Sequence, residues 1–194
     1  VMNRPRRWVV ADRRLMALPA WARVTPERRA PIERVAALLS EWAEAMGVPA
    51  AEHARWLKAA YLHDALRDAP IADPLAHGPG AAERASRDGE TDPGVLDAAR
   101  YHTIGYAGWD DVGRMLYVAD FLEPGRDFDH DARRTLAARV PRERDAVLRE
   151  VARRRIEWVL RSGWPLPPET VRSSFAGKNW TGRRRIGWKR RILF

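Results

Sequence analysis

The sequence predicts an all-α helical bundle, built as a single domain with a basic C-terminal tail. Two helix starts pair a capping side chain with a following proline, Thr25-Pro26 and Asp92-Pro93. Apolar residues recur at three- and four-residue spacing, and no run alternates apolar with polar as a half-buried strand would. With 194 residues and 45% hydrophobic content, the chain can bury one full core. The domain is expected over 7–175, with a basic, poorly ordered extension over 176–194.

Thr25, Pro26 and Glu27 open the first helix, Ile32, Val35, Ala36, Leu38, Leu39 and Trp42 follow at helical spacing, and Gly47 closes it. A second helix is expected from about Ala50 to Leu66, with Ala54, Leu57, Ala60 and Tyr61 inward and His63 and Asp64 in its last turn. The proline- and glycine-rich stretch from Ala69 to Gly80 reads as a loop with His77 at its far end, followed by a short helix from Gly80 to Arg87. Asp92-Pro93 begins a helix ending near His102. Asp110 or Asp111 caps the next, which buries Met115, Leu116, Val118 and Ala119 and delivers Asp120 and Glu123 at its end. Two further stretches are expected near 129–139 and 141–162, the second stopped by Gly163 and Pro165.

The net charge is +9, but +7 of it lies in 176–194, leaving +2 for the rest, so the high pI gives little reason to see a nucleic-acid binder in the folded body. No apolar run nears the roughly 18 residues of a membrane span, and a cytoplasmic protein is expected. Cysteine is absent, so any metal must be held by imidazole and carboxylate, donors that suit iron, manganese, cobalt, zinc or magnesium.

A His-Asp dipeptide is weak evidence alone. Here His63-Asp64 follows the apolar run Ala59-Ala60-Tyr61-Leu62, which puts both side chains at the inner end of a buried helix. Adjacent helical residues point about 100° apart, so the imidazole can hold one ion while the carboxylate reaches toward another. Asp120 ends a second apolar run near a helix C-terminus, where the macrodipole disfavours negative charge; it needs a cation, either Arg126 or a metal. His102 precedes the turn Thr103-Ile104-Gly105, and His77 sits at a loop-to-helix junction where backbone N–H groups are free to meet an anion. An interior histidine taken alone is more often a hydrogen-bonded core residue; five ligands in this order, His63, Asp64, His77, His102 and Asp120, favour a site. His53 is read as a solvent-facing helix residue and His130 as a surface residue or a helix cap.

The segments Tyr61-Leu62-His63-Asp64, His77-Gly78-Pro79 with Ala81, Tyr101-His102-Thr103 with Gly105, and Tyr117-Val118-Ala119-Asp120 followed by Glu123-Pro124 and Arg126 resemble the HD-domain hydrolases of the YqeK type, in that family's order over roughly 24–170. The resemblance implies a helical HD fold, a two-metal centre usually associated with iron, and symmetrical hydrolysis of bis(5'-nucleosyl) tetraphosphates, with diadenosine tetraphosphate giving two ADP. It also implies that His63, Asp64, His77, His102 and Asp120 are metal ligands and that Thr103, Gly105 and Arg126 face the phosphates or nucleotide, with Arg134 a weaker candidate. Asp64 is taken as catalytic. So is Arg67, which stands where similar proteins often have lysine, although an ion pair with Asp68 accounts for it equally well.

The chain departs from the family pattern at Pro31, where a further ligand histidine is expected, in a shorter connection from His63 to His77, in Arg67 itself, and after Thr170, where Ser174 and Phe175 replace an aromatic-Asn pair. Three functions are therefore weighed: an active dinucleoside tetraphosphatase, a phosphohydrolase of another nucleotide, and a degenerate HD domain that binds nucleotide or RNA without catalysis. Pro31 favours the last, as does the tail, where Trp180 and Trp188 among Arg and Lys suit weak contact with RNA or an anionic surface; a solvated extension is the plainer reading. A homodimer is left open.

Overall fold

The computed structural model describes residues 17–174, and all regular structure among them is helical. The expected basic extension, its RNA or surface contact, and the start of the domain at residue 7 lie outside the described residues. No described helix is long and apolar enough to cross a membrane.

Helix α1 (Pro26–Met46) begins as its sequence predicts: the Thr25 hydroxyl accepts from the Arg28 N–H at 3.3 Å, and Gly47 ends it with φ +64°. Pro31 lies inside it, so the ladder lacks the bond that would run to the Glu27 carbonyl. Helix α2 (Ala50–His63) stops three residues before the expected end. Here tertiary bonding wins, because the Arg23 N–H donates to the Ala65 carbonyl at 2.7 Å and the Asp68 N–H to the Arg23 carbonyl at 3.1 Å. Helix α3 (His77–Arg87) instead starts three residues early. Gly78 and Pro79 occupy its first turn, where no N–H has an intrahelical partner and proline costs nothing.

Asp92 caps helix α4 (Pro93–Tyr101) through bonds from the N–H groups of Gly94 and Val95, and Asp110 caps helix α5 (Asp111–Leu122) through one from Val112. Arg55 of α2 ties these two starts together, reaching Asp92 at 2.6 and 2.9 Å and Asp110 at 2.7 Å while also holding Glu52. The two stretches expected after residue 129 are both helical and run on as α6 (His130–Arg161), divided by a kink of non-helical backbone at Glu143 (φ −137°, ψ 33°), two residues after Pro141. Gly163, with φ +69°, follows its end. A short helix α7 (Pro168–Ser174), not foreseen in the sequence, folds back so that the Thr170 hydroxyl donates to the Ile104 carbonyl at 2.5 Å.

Helix α2 packs on α1, α3, α4 and α5, and α6 covers α5 and α1. Val35, Leu39, Trp42, Trp56, Leu57, Val95, Leu116, Val118, Val140, Val147 and Val151 fill the space between. The C-terminal ends of α2, α4 and α5 and the N-terminal end of α3 carry the histidines and aspartates singled out above.

The Arg55 cluster has a measurable consequence. Hydrogen bonds from Arg55 dominate the environment of Asp92 and lower its pKa from the usual 3.8 to about 2. A depressed carboxylate contributes stability that is complete above its unfolded pKa and is lost as pH falls through the folded one, so this contribution should fade between about pH 4 and pH 2. Asp92→Ala is expected to cost about 1–2 kcal/mol at pH 7 and less at pH 2. Urea denaturation at the two pH values checks this, and an equal loss at both would contradict it.

Candidate metal centre

His63 is the last residue of α2 and Asp64 its cap, His77 opens α3, His102 caps α4, and Asp120 lies in the last turn of α5. The three imidazoles are oriented alike. Each Nδ1–H donates to a carbonyl three residues earlier: His63 to Ala60 at 2.6 Å, His77 to Pro74 at 2.6 Å and His102 to Ala99 at 2.8 Å. A carbonyl only accepts, so Nδ1 carries a proton, and each ring in its neutral form presents Nε2 as a bare lone pair. Burial pushes the His63 pKa down, which favours that neutral form.

The lone pairs converge. Nε2 of His77 and of His102 are 3.1 Å apart, and Asp64 Oδ1 lies 3.1 Å from the first and 3.4 Å from the second. Three acceptors at such separations repel one another unless a proton or a cation lies among them. Divalent ions bind imidazole and carboxylate at roughly 2.0–2.2 Å, so neighbouring ligands on one ion stand about 3.0–3.5 Å apart, and the three spacings fall in that range. These residues therefore fit a divalent ion. Among the described residues they form the one set of three such ligand atoms within 4.8 Å of one another.

The approach depends on Gly78. A Cβ there would stand 2.7 Å from the Ala99 carbonyl oxygen and 3.2 Å from His102 Cε1, so only glycine lets the start of α3 lie against the end of α4. His63 stands on the other side of Asp64, its Nε2 3.8 Å from Oδ2, and its ring meets that of His102 edge-on with centroids 5.0 Å apart.

Asp120 is buried, but the structure does not bring it into the set of three. Its carboxylate is held by two guanidinium groups, Oδ1 by Arg126 and Oδ2 by Arg155 at 2.6 Å. Burial alone would raise its pKa; the charges of Arg126 and Arg155 instead hold it far below the usual range. Arg126 returns to Asp120 because the segment between them is tightly folded. Glu123 accepts from the Gly125 N–H at 2.6 Å and pairs with Arg34, while buried Arg133 donates to the carbonyls of Phe121, Glu123, Arg126 and Phe128.

The remaining sequence candidates divide. Thr103 Oγ1 is 3.1 Å from His102 Nε2, at the cluster itself. Gly105 takes φ +84° and its N–H is engaged by the Tyr101 carbonyl at 2.8 Å, so it contributes a left-handed turn rather than a free donor. Arg67 is exposed, with Nη1 3.1 Å from His77 Nδ1, beside the cluster and not on Asp68. Arg134 differs from expectation: its side chain is 80% exposed and faces Asp131 at 3.8 Å, because α6 turns Arg133, not Arg134, toward the core. His53 is part-buried rather than solvent-facing, bonded to the Ser40 hydroxyl at 3.0 Å, and His130 is exposed.

Arg155 and Arg133 escaped the sequence reading. Arg155 is the third of three consecutive arginines, yet it continues the four-residue spacing of buried Val147 and Val151, the one signal that separates it from its solvent-facing neighbours.

No protein-family model matches the chain. A 55-residue segment, 28% of the chain, is 44% identical to the symmetrical bis(5'-nucleosyl)-tetraphosphatase of Bacillus subtilis (strain 168), and the match spans 30% of that relative's length. A crystal structure from Clostridium acetobutylicum, described as a predicted HD superfamily hydrolase involved in NAD metabolism, superposes with a TM-score of 0.67 over 79% of this chain and 89% of that one, at 18% identity. The two chains share the helical arrangement.

Proposed function

We propose that this YqeK-type HD-domain protein hydrolyses dinucleoside tetraphosphates symmetrically, converting diadenosine tetraphosphate and water into two ADP. The observation that carries the reading is the convergence of Asp64 and two Nε2 lone pairs at ion-binding spacing, on a chain part of which is 44% identical to a protein named for that reaction. A divalent ion held there, iron by resemblance and manganese, cobalt, zinc or magnesium by the same donor preference, would supply Lewis acidity and a water of lowered pKa.

The chain's own residues do the rest. Water adds to one of the two inner phosphorus atoms of the tetraphosphate and gives up its protons to solvent, the bond from that phosphorus to the central bridging oxygen breaks, and the departing ADP oxygen gains negative charge. Arg126 offsets charge on the phosphoryl oxygens, and Arg67, beside His77, adds a second cation at the cluster's exposed edge. Thr103 offers its hydroxyl next to His102. Asp64 is the negative centre that holds the cluster together, and such an enzyme would act on the cytoplasmic nucleotide pool.

Chromatography of products from the purified chain, given iron, manganese, cobalt, zinc or magnesium in turn, tests this. ADP as sole product supports it. AMP with ATP, or inertness while another nucleotide is turned over, rejects it; binding of nucleotide without any turnover would leave the non-catalytic reading in its place.

A further inference from the structure

On the Asp120 side of the site, positive charge is already built into the protein. Both Asp120 oxygens are taken, one by Arg126 and one by Arg155. An ion drawn to His63, the second oxygen of Asp64 and Asp120 would have to displace these guanidinium groups and then sit beside them. The ligand spacing there is also wider, 3.8 Å between His63 Nε2 and Asp64 Oδ2 against 3.1 Å between His77 Nε2 and Oδ1.

Arg155 is not a surface arginine that happens to reach an acid. Its side chain is 16% exposed, and its guanidinium lies over the rings of Tyr117, at 4.4 Å, and Phe121, at 5.5 Å. Nη2 holds Asp120 and Nη1 donates to the Thr103 carbonyl at 3.3 Å, which fixes the group between α5 and the turn after His102. Its Nε is buried with no hydrogen-bond partner among the described residues. A buried charged donor without an acceptor is costly, so the fold keeps this guanidinium at the site against a desolvation penalty, and its charge is felt by any anion bound beside Asp120.

We propose that this chain holds one divalent ion rather than two, on Asp64, His77 and His102, and that Arg155 supplies, on the Asp120 side, the fixed positive charge that engages a phosphate anion. Two arginines against one aspartate leave a net +1 there. Arginine keeps its charge at every working pH, so this half of the site needs no ion to attract phosphate. Arg155 acts here as a positioning and charge-supplying residue.

The inference rests on the reading that the Asp64 cluster binds an ion, and it can fail separately from the proposed activity. Mn²⁺ titration of the metal-free full chain, followed by calorimetry and electron paramagnetic resonance, should give one ion per chain; two would overturn it. Asp120→Asn should leave Mn²⁺ affinity within about 2-fold, whereas a loss of about 10-fold or more would make Asp120 a ligand and overturn it. With one Mn²⁺ bound, Arg155→Met should weaken pyrophosphate binding by about 10-fold and Arg155→Lys should recover part of the loss; unchanged pyrophosphate affinity in Arg155→Met would overturn it. The wild-type stoichiometry needs no variant, so a poorly folding substitution does not remove the test. One ion per chain without diadenosine tetraphosphate hydrolysis would sink the proposed function and leave this inference standing; two ions with hydrolysis would do the reverse.

Discussion

Replacing Asp64 by asparagine should remove divalent-ion binding and hydrolysis together while leaving the fold in place. The substitution keeps the shape of the side chain and deletes the one negative charge that His77 and His102 face at 3.1 and 3.4 Å. Outer partners of a metal site typically change affinity by about 10–100-fold, so a direct ligand of the cluster should cost at least about 100-fold in affinity and more in rate. Metal content after gel filtration, turnover of diadenosine tetraphosphate and the melting temperature together read this out. Metal retained at wild-type level in Asp64→Asn would disprove the assignment of the cluster. A large fall in melting temperature would show that Asp64 holds the helix ends together rather than serving an ion.

The second large effect is expected at buried Arg133. Its guanidinium, 2% exposed with the rest of the residue, satisfies carbonyls of four residues between Phe121 and Phe128 and lies 4.6 Å from the Phe128 ring. Arg133→Met keeps most of the bulk and leaves those carbonyls without their donor, a loss on the order of 3–5 kcal/mol. Because the same segment returns Arg126 to Asp120, activity should fall even where the variant remains folded. Urea denaturation gives the first quantity and turnover at low temperature the second. A stability change under about 1 kcal/mol would mean that water replaces the arginine at little cost.

Much of the fold was legible because helix starts are local chemistry. Thr25-Pro26, Asp92-Pro93 and Asp110 each announce a helix through a side-chain oxygen that meets a free N–H, and the structure makes all three bonds. The early start of α3 was not legible, since Gly78, Pro79 and Gly80 read as loop punctuation and only the rule that a first turn has no N–H partners permits them in a helix. For the site, residue type and order pointed to His63, Asp64, His77 and His102, and geometry groups the last three. Asp120 was recognised as an acid in need of a cation, and Arg126 was one of the two partners named for it. The other guanidinium, Arg155, comes from a helix 35 residues further along the chain, a relation that no local pattern encodes. The same limit applies to Arg133 and Arg134, adjacent in sequence and opposite in burial, where helical phase alone decides.

The three short imidazole bonds, each to a carbonyl within the same turn, separate two tasks that metal sites often merge. Which nitrogen is offered is settled by neighbours three residues away, before the helices meet; how near the offered nitrogens come to one another is settled by packing. Loosening the bundle would therefore spread the ligands without scrambling them. A chain stripped of its ion, or newly made, would already hold its imidazoles in the receptive tautomer, and capture would wait only on the closing of three helix ends.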